Sequence, residues 1–346
     1  MAQPAADAKE PAIDAVERSA VIEGILTQIR TNYVFPDAAK KMEDAVREKL
    51  NSGAYDKITR CTDFADVLTK DLRAVCHDGH LGVDFALGKM RQTGNESPSK
   101  DDIREFEAVA VRNNYRFRKV EILEGGIGVL DLGAFYPSEM ISETAAAAMA
   151  FLANCEAVII DLRDNHGFAP SGGTLIASYF FAEETRLSDQ YNRAEGTTRQ
   201  FWTLPSVLGK KLADMELYIL TSHQTFSAPE AFAYDLQSLK RATVVGERTG
   251  GGAHGTLSHR VNSHFTISVP FSRSINPVTK TDWEGSGVKP DIDVPAAHAL
   301  LAAQIAALEK AETRHQKDPR RVEALRAVRV GKMKELAEFG EKEGKH

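Results

Sequence analysis

Residues 215–237 read MELYILTSHQTFSAPEAFAYDLQ, and this stretch decides the fold. Leu217-Tyr218-Ile219-Leu220 is a short apolar run rich in β-formers, the mark of a buried strand. Beyond it, Ala, Phe, Ala and Leu recur at helical spacing, with Pro229 and Glu230 where a first helical turn accepts them. Ser227 stands at the junction. A hydroxyl there lies beside the unpaired N–H groups of the helix start, which can stabilise an oxyanion when the hydroxyl attacks a carbonyl. The position is equally that of an ordinary N-cap, for which serine is a preferred residue.

Working outward, the same alternation continues. GIGVLDLGAF reads as a strand, ISETAAAAMAFLANC as a helix capped by Ser142, and AVIIDLR as an almost wholly apolar strand. SGGTLIASYFF reads as a helix and ATVVGE as a further strand. Strands alternating with helices imply parallel βαβ units, buried on both faces. HFTISVP and NPVTKTDWEGSGVKPDIDVP close the sheet region as strand and turns.

Toward the N-terminus the pattern from Ile13 to Val75 is helical. VERSAVIEGILTQIRTNY is the first helix, a second starts at Pro36, and FADVLTKDLRAVC is a third, with Thr62 or Asp63 as its cap. That helix runs into His77-Asp78-Gly79-His80 and a short strand, LGVDF. The segment from Leu87 to Lys119 is polar, and its GNESPSKDD reads as an exposed, mobile loop. It is too short for an inserted peptide-binding domain, so substrate selection would fall to loops such as this one. The predicted layout is a flexible leader over 1–12, a helical domain over 13–80 and a strand with mobile linker over 81–124. An α/β core over 125–298 and a helical tail over 299–346 follow.

Composition narrows the function. The 346 residues are 42% hydrophobic and 27% charged, as in an ordinary globular protein. A net charge of -6 argues against a broad nucleic-acid footprint. No apolar run approaches the ~20 residues needed to cross a bilayer. Cys61, Cys76 and Cys155 can form no disulfide framework and offer no zinc spacing. The start, MAQPAADAKEPAID, lacks a basic n-region and an apolar core. It suits equally a cytoplasmic chain and the mature end of a periplasmic or secreted one.

In an open α/β sheet, ligands gather beyond the carboxyl ends of the strands. Ser227 falls there, as does Asp161-Leu162-Arg163-Asp164-Asn165-His166-Gly167, where the Gly167 N–H is free to approach a ligand closely. Gly250-Gly251-Gly252 falls there too, without the context of a dinucleotide or phosphate loop. A serine nucleophile needs a base, and of ten histidines His80 is the best placed, at a helix end and a Gly turn. His254, His259 and His264 recur every five residues, an odd step that sends extended side chains to opposite faces and disfavours a shared metal sphere.

These motifs, in this order, carry a resemblance. YILTSHQTFSAPEAFAYDLQSLKRATVVGERTGGGAH, with AVIIDLRDNHGFAPSGG before it and WEGSGVKPDIDVP after it, resembles the tail-specific (carboxy-terminal-processing) serine peptidase family. The helical start and LRAVCHDGHLGVDF are similar to the branch with the interphotoreceptor retinoid-binding protein modules and the tricorn core protease. The resemblance implies a crotonase/ClpP-like α/β core behind a helical domain, a peptide or unfolded-protein substrate, and no cofactor or metal. It implies Ser227 as nucleophile, His80 as base, Glu284 as the orienting carboxylate, and the Gly167 and Ala228 amides as an oxyanion hole. The family's usual Ser–Lys dyad is absent, because Gly252 occupies the lysine position. The usual Asn-x-Gly-Gly loop reads Asn165-His166-Gly167-Phe168, a bulky side chain in place of the second glycine. The retinoid-binding relatives imply the alternative of a non-catalytic carrier for an apolar ligand such as a retinoid or fatty acid. Phe168, Phe180, Phe181, Phe201 and Trp202 would then line the pocket.

Overall fold

Five parallel strands and one antiparallel edge strand carry the serine stretch, as the alternation of apolar runs requires. The computed structural model describes residues 10–87 and 99–343. In chain order the first elements are α1 (Ala15–Asn32), α2 (Pro36–Asn51), α3 (Cys61–Cys76), β1 (Gly82–Phe85), α4 (Lys100–Arg112), β2 (Phe117–Leu123) and β3 (Ile127–Leu132). Next come α5 (Ser138–Leu152), β4 (Ala157–Asp161), α6 (Pro170–Ser178), β5 (Arg186–Asn192), β6 (Thr197–Trp202), β7 (Glu216–Thr221) and α7 (Ala228–Ser238). The last are β8 (Thr243–Gly246), β9 (His254–Arg260), β10 (Phe265–Ile275), β11 (Ile292–Asp293), α8 (Ala299–Arg314) and α9 (Pro319–Glu343). Among the described residues no helix is long and apolar enough to cross a membrane.

The chain divides into two units. The first takes the residues up to Arg104 together with Gln190–Arg199 and His254–Ile275; the second takes the rest. In the first unit, α1 turns Val21, Ile22, Ile25, Leu26 and Ile29 inward at helical spacing. They pack with Phe64, Leu68 and Leu72 of α3 and with Phe265, Ile267 and Val269 of β10. Burying such side chains contributes roughly 1.5–3 kcal/mol each. β10 is the spine of a sheet ordered β1-β10-β5-β6, and β9 also pairs with it. Pro36 opens α2 at a position where its missing N–H costs nothing.

In the second unit the sheet order is β11-β8-β7-β4-β3-β2, with β2 antiparallel to β3 and the others parallel. Alternate strand residues face opposite sides. Leu130, Val158, Ile160, Leu217 and Ile219 pack with α5, α6 and α7, whereas Val129, Ile159, Tyr218 and Leu220 pack with α8. β4 is therefore buried at all five residues, which is why its first four are apolar; the fifth, Asp161, is paired with Arg163.

The structure corrects several expectations. The stretch expected as a strand and mobile linker over 81–124 also holds α4 and β2. Only Ala110 of α4 is buried, although Ile103, Phe106 and Ala110 recur at helical spacing among charged residues, and β2 is an edge strand with charged, exposed side chains. The hairpin of β5 and β6 is a further addition, polar in sequence because all of β6 but Phe201 is exposed. Ser142 lies inside α5, whose N-cap is Pro137. Thr62 and Asp63 lie inside α3, whose N-cap is Arg60; the carboxylate of Glu10 accepts from the Thr62 N–H instead, at 2.7 Å. Residues 10–12, expected in the leader, are held there by that bond and by a bridge between Ala12 and Arg60. Residues 1–9 and most of the expected mobile loop lie outside the described residues. The expected tail begins with α8, which covers one face of the second unit's sheet through Ala299, Ala303, Ala307 and Leu308.

Candidate active site

β7 ends at Thr221 and a tight turn leads to Ser227, the N-cap of α7. An ordinary N-cap has extended backbone angles. Ser227 has φ 71° and ψ -120°, a conformation that costs a side-chain-bearing residue of order 1–3 kcal/mol. A serine on such a strained strand-to-helix turn is the arrangement that exposes a nucleophilic hydroxyl.

The strain persists because neighbouring groups fix the turn. The Ser227 N–H donates to the Glu230 carboxylate at 2.8 Å. Glu230 is fully buried and also accepts from Thr249 Oγ1 at 2.5 Å, the Gly251 N–H at 2.7 Å and the Gly252 N–H at 2.8 Å. Burial pushes its carboxyl above the ordinary value, and the four donors pull it back. Glu230 thus ties the serine turn to the glycine loop after β8. Nothing in the sequence reading singled it out beyond a first-turn position; its spacing of three from Ser227 was the available signal.

The loop after β4 lies against the same turn. Asn165 is wholly buried; its side chain donates to the Leu132 carbonyl at 2.9 Å, and its own carbonyl accepts from the Phe226 N–H at 3.2 Å. Gly167 follows with φ 101°. A Cβ there would stand 3.0 Å from Ser227 Cβ and from the Phe226 carbonyl, and 3.4 Å from the Ala228 nitrogen, so only glycine fits. The structure therefore brings Ser227, Ala228 and Gly167 together. The Gly167 N–H donates to Asn165 Oδ1 at 3.0 Å, so an oxyanion would have to share that amide or displace the bond.

Phe168, in place of the second glycine, has φ 122°, a region almost confined to glycine. Its backbone forms a parallel bridge with Phe135. Its ring is 59% exposed and packs with Phe106 of α4 at 5.5 Å and with Tyr136 at 5.6 Å between centroids. Two such ring pairs contribute roughly 0.5–1.5 kcal/mol each, about what the strained backbone costs.

Glu284 lies on the turn that faces the glycine loop. Its carboxylate accepts from the Ala253 N–H at 2.5 Å; the Gly285 N–H donates to the Gly251 carbonyl at 2.9 Å, and the Trp283 indole to the Gly252 carbonyl at 2.8 Å. Ser227, Glu230, the glycine loop and the Glu284 turn form one connected framework.

His80 belongs to the first unit. α3 ends with His77 in the left-handed conformation at φ 55°, and Asp78 follows, fully buried. Asp78 accepts from the His80 N–H at 3.0 Å, the Tyr33 hydroxyl at 3.2 Å and His254 Nδ1 at 2.6 Å. Arg73 holds the other side of the turn through the Gly79 and Leu81 carbonyls, at 2.8 and 2.7 Å. Burial pushes the His80 imidazole down to about 4, against the opposing pull of the Asp78 carboxylate. For Asp78, burial works upward but the His254 bond and charge prevail and hold it below the usual carboxylate value. His254 entered the sequence reading only within a five-residue histidine spacing; its role as the buried partner of Asp78 had no local signal.

The aromatic residues expected to line a carrier pocket are divided. Phe180 is fully buried in the core beneath Arg241, while Phe168 and Trp202 are 59% and 45% exposed.

A parallel α/β sheet with a strained serine at a strand-to-helix turn is an arrangement that serine hydrolases share. The comparisons with known proteins narrow the class. Residues 126–294 match the model of peptidase family S41, and residues 15–119 match that of the N-terminal domain of this family in eukaryotic interphotoreceptor retinoid-binding protein. The chain belongs to peptidase family S41. It is 26% identical over 226 residues to a carboxyl-terminal-processing protease of Picosynechococcus sp., covering 62% of this chain and 53% of that protein. The chain thus spans about half the length of this curated relative. Its fold is that of the photosystem II D1 C-terminal processing protease, with a TM-score of 0.50 at 16% identity over 81% of this chain and 93% of the other. It is also that of the tricorn protease, with a TM-score of 0.51 at 15% identity over 86% of this chain and 37% of the other.

Proposed function

We propose that this protein is a serine peptidase that cuts peptide bonds in peptides or unfolded proteins through an acyl-enzyme. The observation that carries the reading is the backbone of Ser227: a residue with φ 71° held against Gly167 and by buried Glu230 is built for more than capping a helix. In this reading Ser227 Oγ attacks the carbonyl carbon and His80 takes its proton, then returns it to the leaving amine. Glu284 orients the imidazole and stabilises its protonated form. The Ala228 N–H, a first-turn amide that the helix leaves unpaired, and the Gly167 N–H receive the oxyanion. Water then attacks the acyl-serine with His80 again as base, and the serine is restored.

Ser227→Ala should keep the fold and lose ~10⁴-fold or more in peptide turnover. His80→Ala and Glu284→Ala should also fold and should abolish or greatly reduce labelling of Ser227 by a serine-directed phosphonate. Turnover of Ser227→Ala equal to that of the parent would remove Ser227 as nucleophile. Unimpaired labelling in His80→Ala would remove His80 as its base.

A further inference from the structure

Phe168 is the one side chain of the loop after β4 whose backbone is strained and whose ring is mostly exposed, 59%. Its ring contacts do no more than offset that strain, and a glycine would avoid it altogether, so stability does not account for a phenylalanine there. Position does. Phe168 directly follows Gly167, whose Cα supports a would-be Cβ 3.0 Å from Ser227 Cβ. Consecutive Cα atoms are ~3.8 Å apart, so the Phe168 Cα lies one residue beyond the glycine that packs on Ser227.

A second element converges on the same point. α4 is exposed along most of its length, yet Phe106, itself 37% exposed, is set 5.5 Å from Phe168 and 5.7 Å from Tyr136. Tyr115 packs edge-on against Tyr136 at 5.9 Å between centroids. Three half-open rings in mutual contact present an apolar, aromatic wall with no charged group of its own. Such walls, with a few placed polar groups beside them, are how small ligand groups are gripped.

We propose that Phe168, Phe106 and Tyr136 form a subsite that holds an apolar side chain of the peptide next to the bond that Ser227 attacks. The proposal rests on the reading of Ser227 as nucleophile and goes further, by fixing the substrate class as peptides with a large apolar residue flanking the cut. The backbone of Phe168 and its contacts with Phe106 and Tyr136 fix where the ring sits. The amides of Gly167 and Ala228 then orient the main chain, and the rings select the side chain.

The test is digestion of a mixed peptide library by the full chain, with cut sites read by mass spectrometry, for wild type, Phe168→Gly and Phe106→Ala. Wild type should favour Leu, Met or Phe over Gly or Asp at one of the two residues flanking the cut, by about 10-fold or more. Both variants should still cut, with that preference reduced several-fold; glycine suits the backbone at 168, and Phe106 lies on an exposed helix, so both should fold. A preference unchanged in both variants, or no apolar preference in a wild type that cuts, overturns the subsite while leaving the nucleophile in place. Failure of wild type to cut any peptide, together with failure of a phosphonate to label Ser227, removes the nucleophile and the subsite with it. Labelling of Ser227 separates the two failures.

Discussion

Ser227 occupies a backbone conformation that glycine adopts freely and alanine does not. Both substitutions remove the hydroxyl, so the difference between them isolates the strain. Ser227→Gly should be more stable to denaturant than Ser227→Ala by about 1–2 kcal/mol, measured by urea unfolding. Equal stabilities would mean that the turn relaxes when the serine is removed. At His80 the expected signature is in pH. A base acts in its neutral form, and burial disfavours the charged one, so protonation waits until pH falls to about 4. The kcat/KM profile should stay flat from pH 8 to 5 and fall below that; an acid limb at the ordinary histidine value would place the working base elsewhere.

Glu230 joins α7 to the loop that precedes β9, and its loss would be felt across both. Glu230→Ala leaves three backbone N–H groups and the Thr249 hydroxyl without their shared acceptor, at about 1–3 kcal/mol for each that stays buried and unpaired. We expect a loss of at least 3 kcal/mol in stability and a fall in kcat larger than any change in KM, measured on the fraction that remains folded. The elements that carry Ser227 were legible because β4 and β7 are buried on both faces and must be apolar. The strand, turn and helix around Ser227 follow from that pattern. What the pattern could not show is of two kinds. α4, β2 and β6 bury few of their side chains and are rich in polar and charged residues, which hides even the helical spacing of Ile103, Phe106 and Ala110 in α4. Asn165, Asp78 and His254 act through bonds to partners far along the chain, a matter of tertiary geometry that no local spacing encodes, and the spacing of Glu230 from Ser227 gives no sign of its bonds to Thr249 and the glycine loop. The caps misassigned to Ser142 and to Thr62 or Asp63 show the same limit: a carboxylate some fifty residues away, Glu10, does the work expected of a neighbour.

For the molecule as a whole, one buried acid sets a dependence of stability on pH. Asp235 of α7 is fully enclosed, accepts from the Asn276 amide at 2.9 Å, and is pushed by burial up to about 7. The folded state therefore binds a proton that the unfolded chain releases near pH 4. Stability from this group is complete below that pH and is lost as pH rises to about 7, on the order of 4 kcal/mol in total. Because buried His80 acts in the opposite sense over part of this range, the test is the difference between thermal melts of wild type and Asp235→Asn: wild type should lose stability relative to the variant between pH 4 and 7, and a difference that does not change with pH would assign the effect to another group. The way the chain is threaded has a consequence of its own. It leaves one unit and enters the other after residues 104, 189, 199, 253 and 275, and the core of the first is completed by Phe265, Ile267 and Val269 of β10. On the ribosome the three opening helices are made early, but the strand that seals their apolar faces emerges only when most of the protein has been synthesised. Until then Ile22, Ile25, Phe64 and Leu68 have no lid. A nascent chain stalled anywhere before residue 265 is thus a sticky, unfinished object that invites chaperones, and no gene fragment ending at Arg104 can encode a free-standing first half.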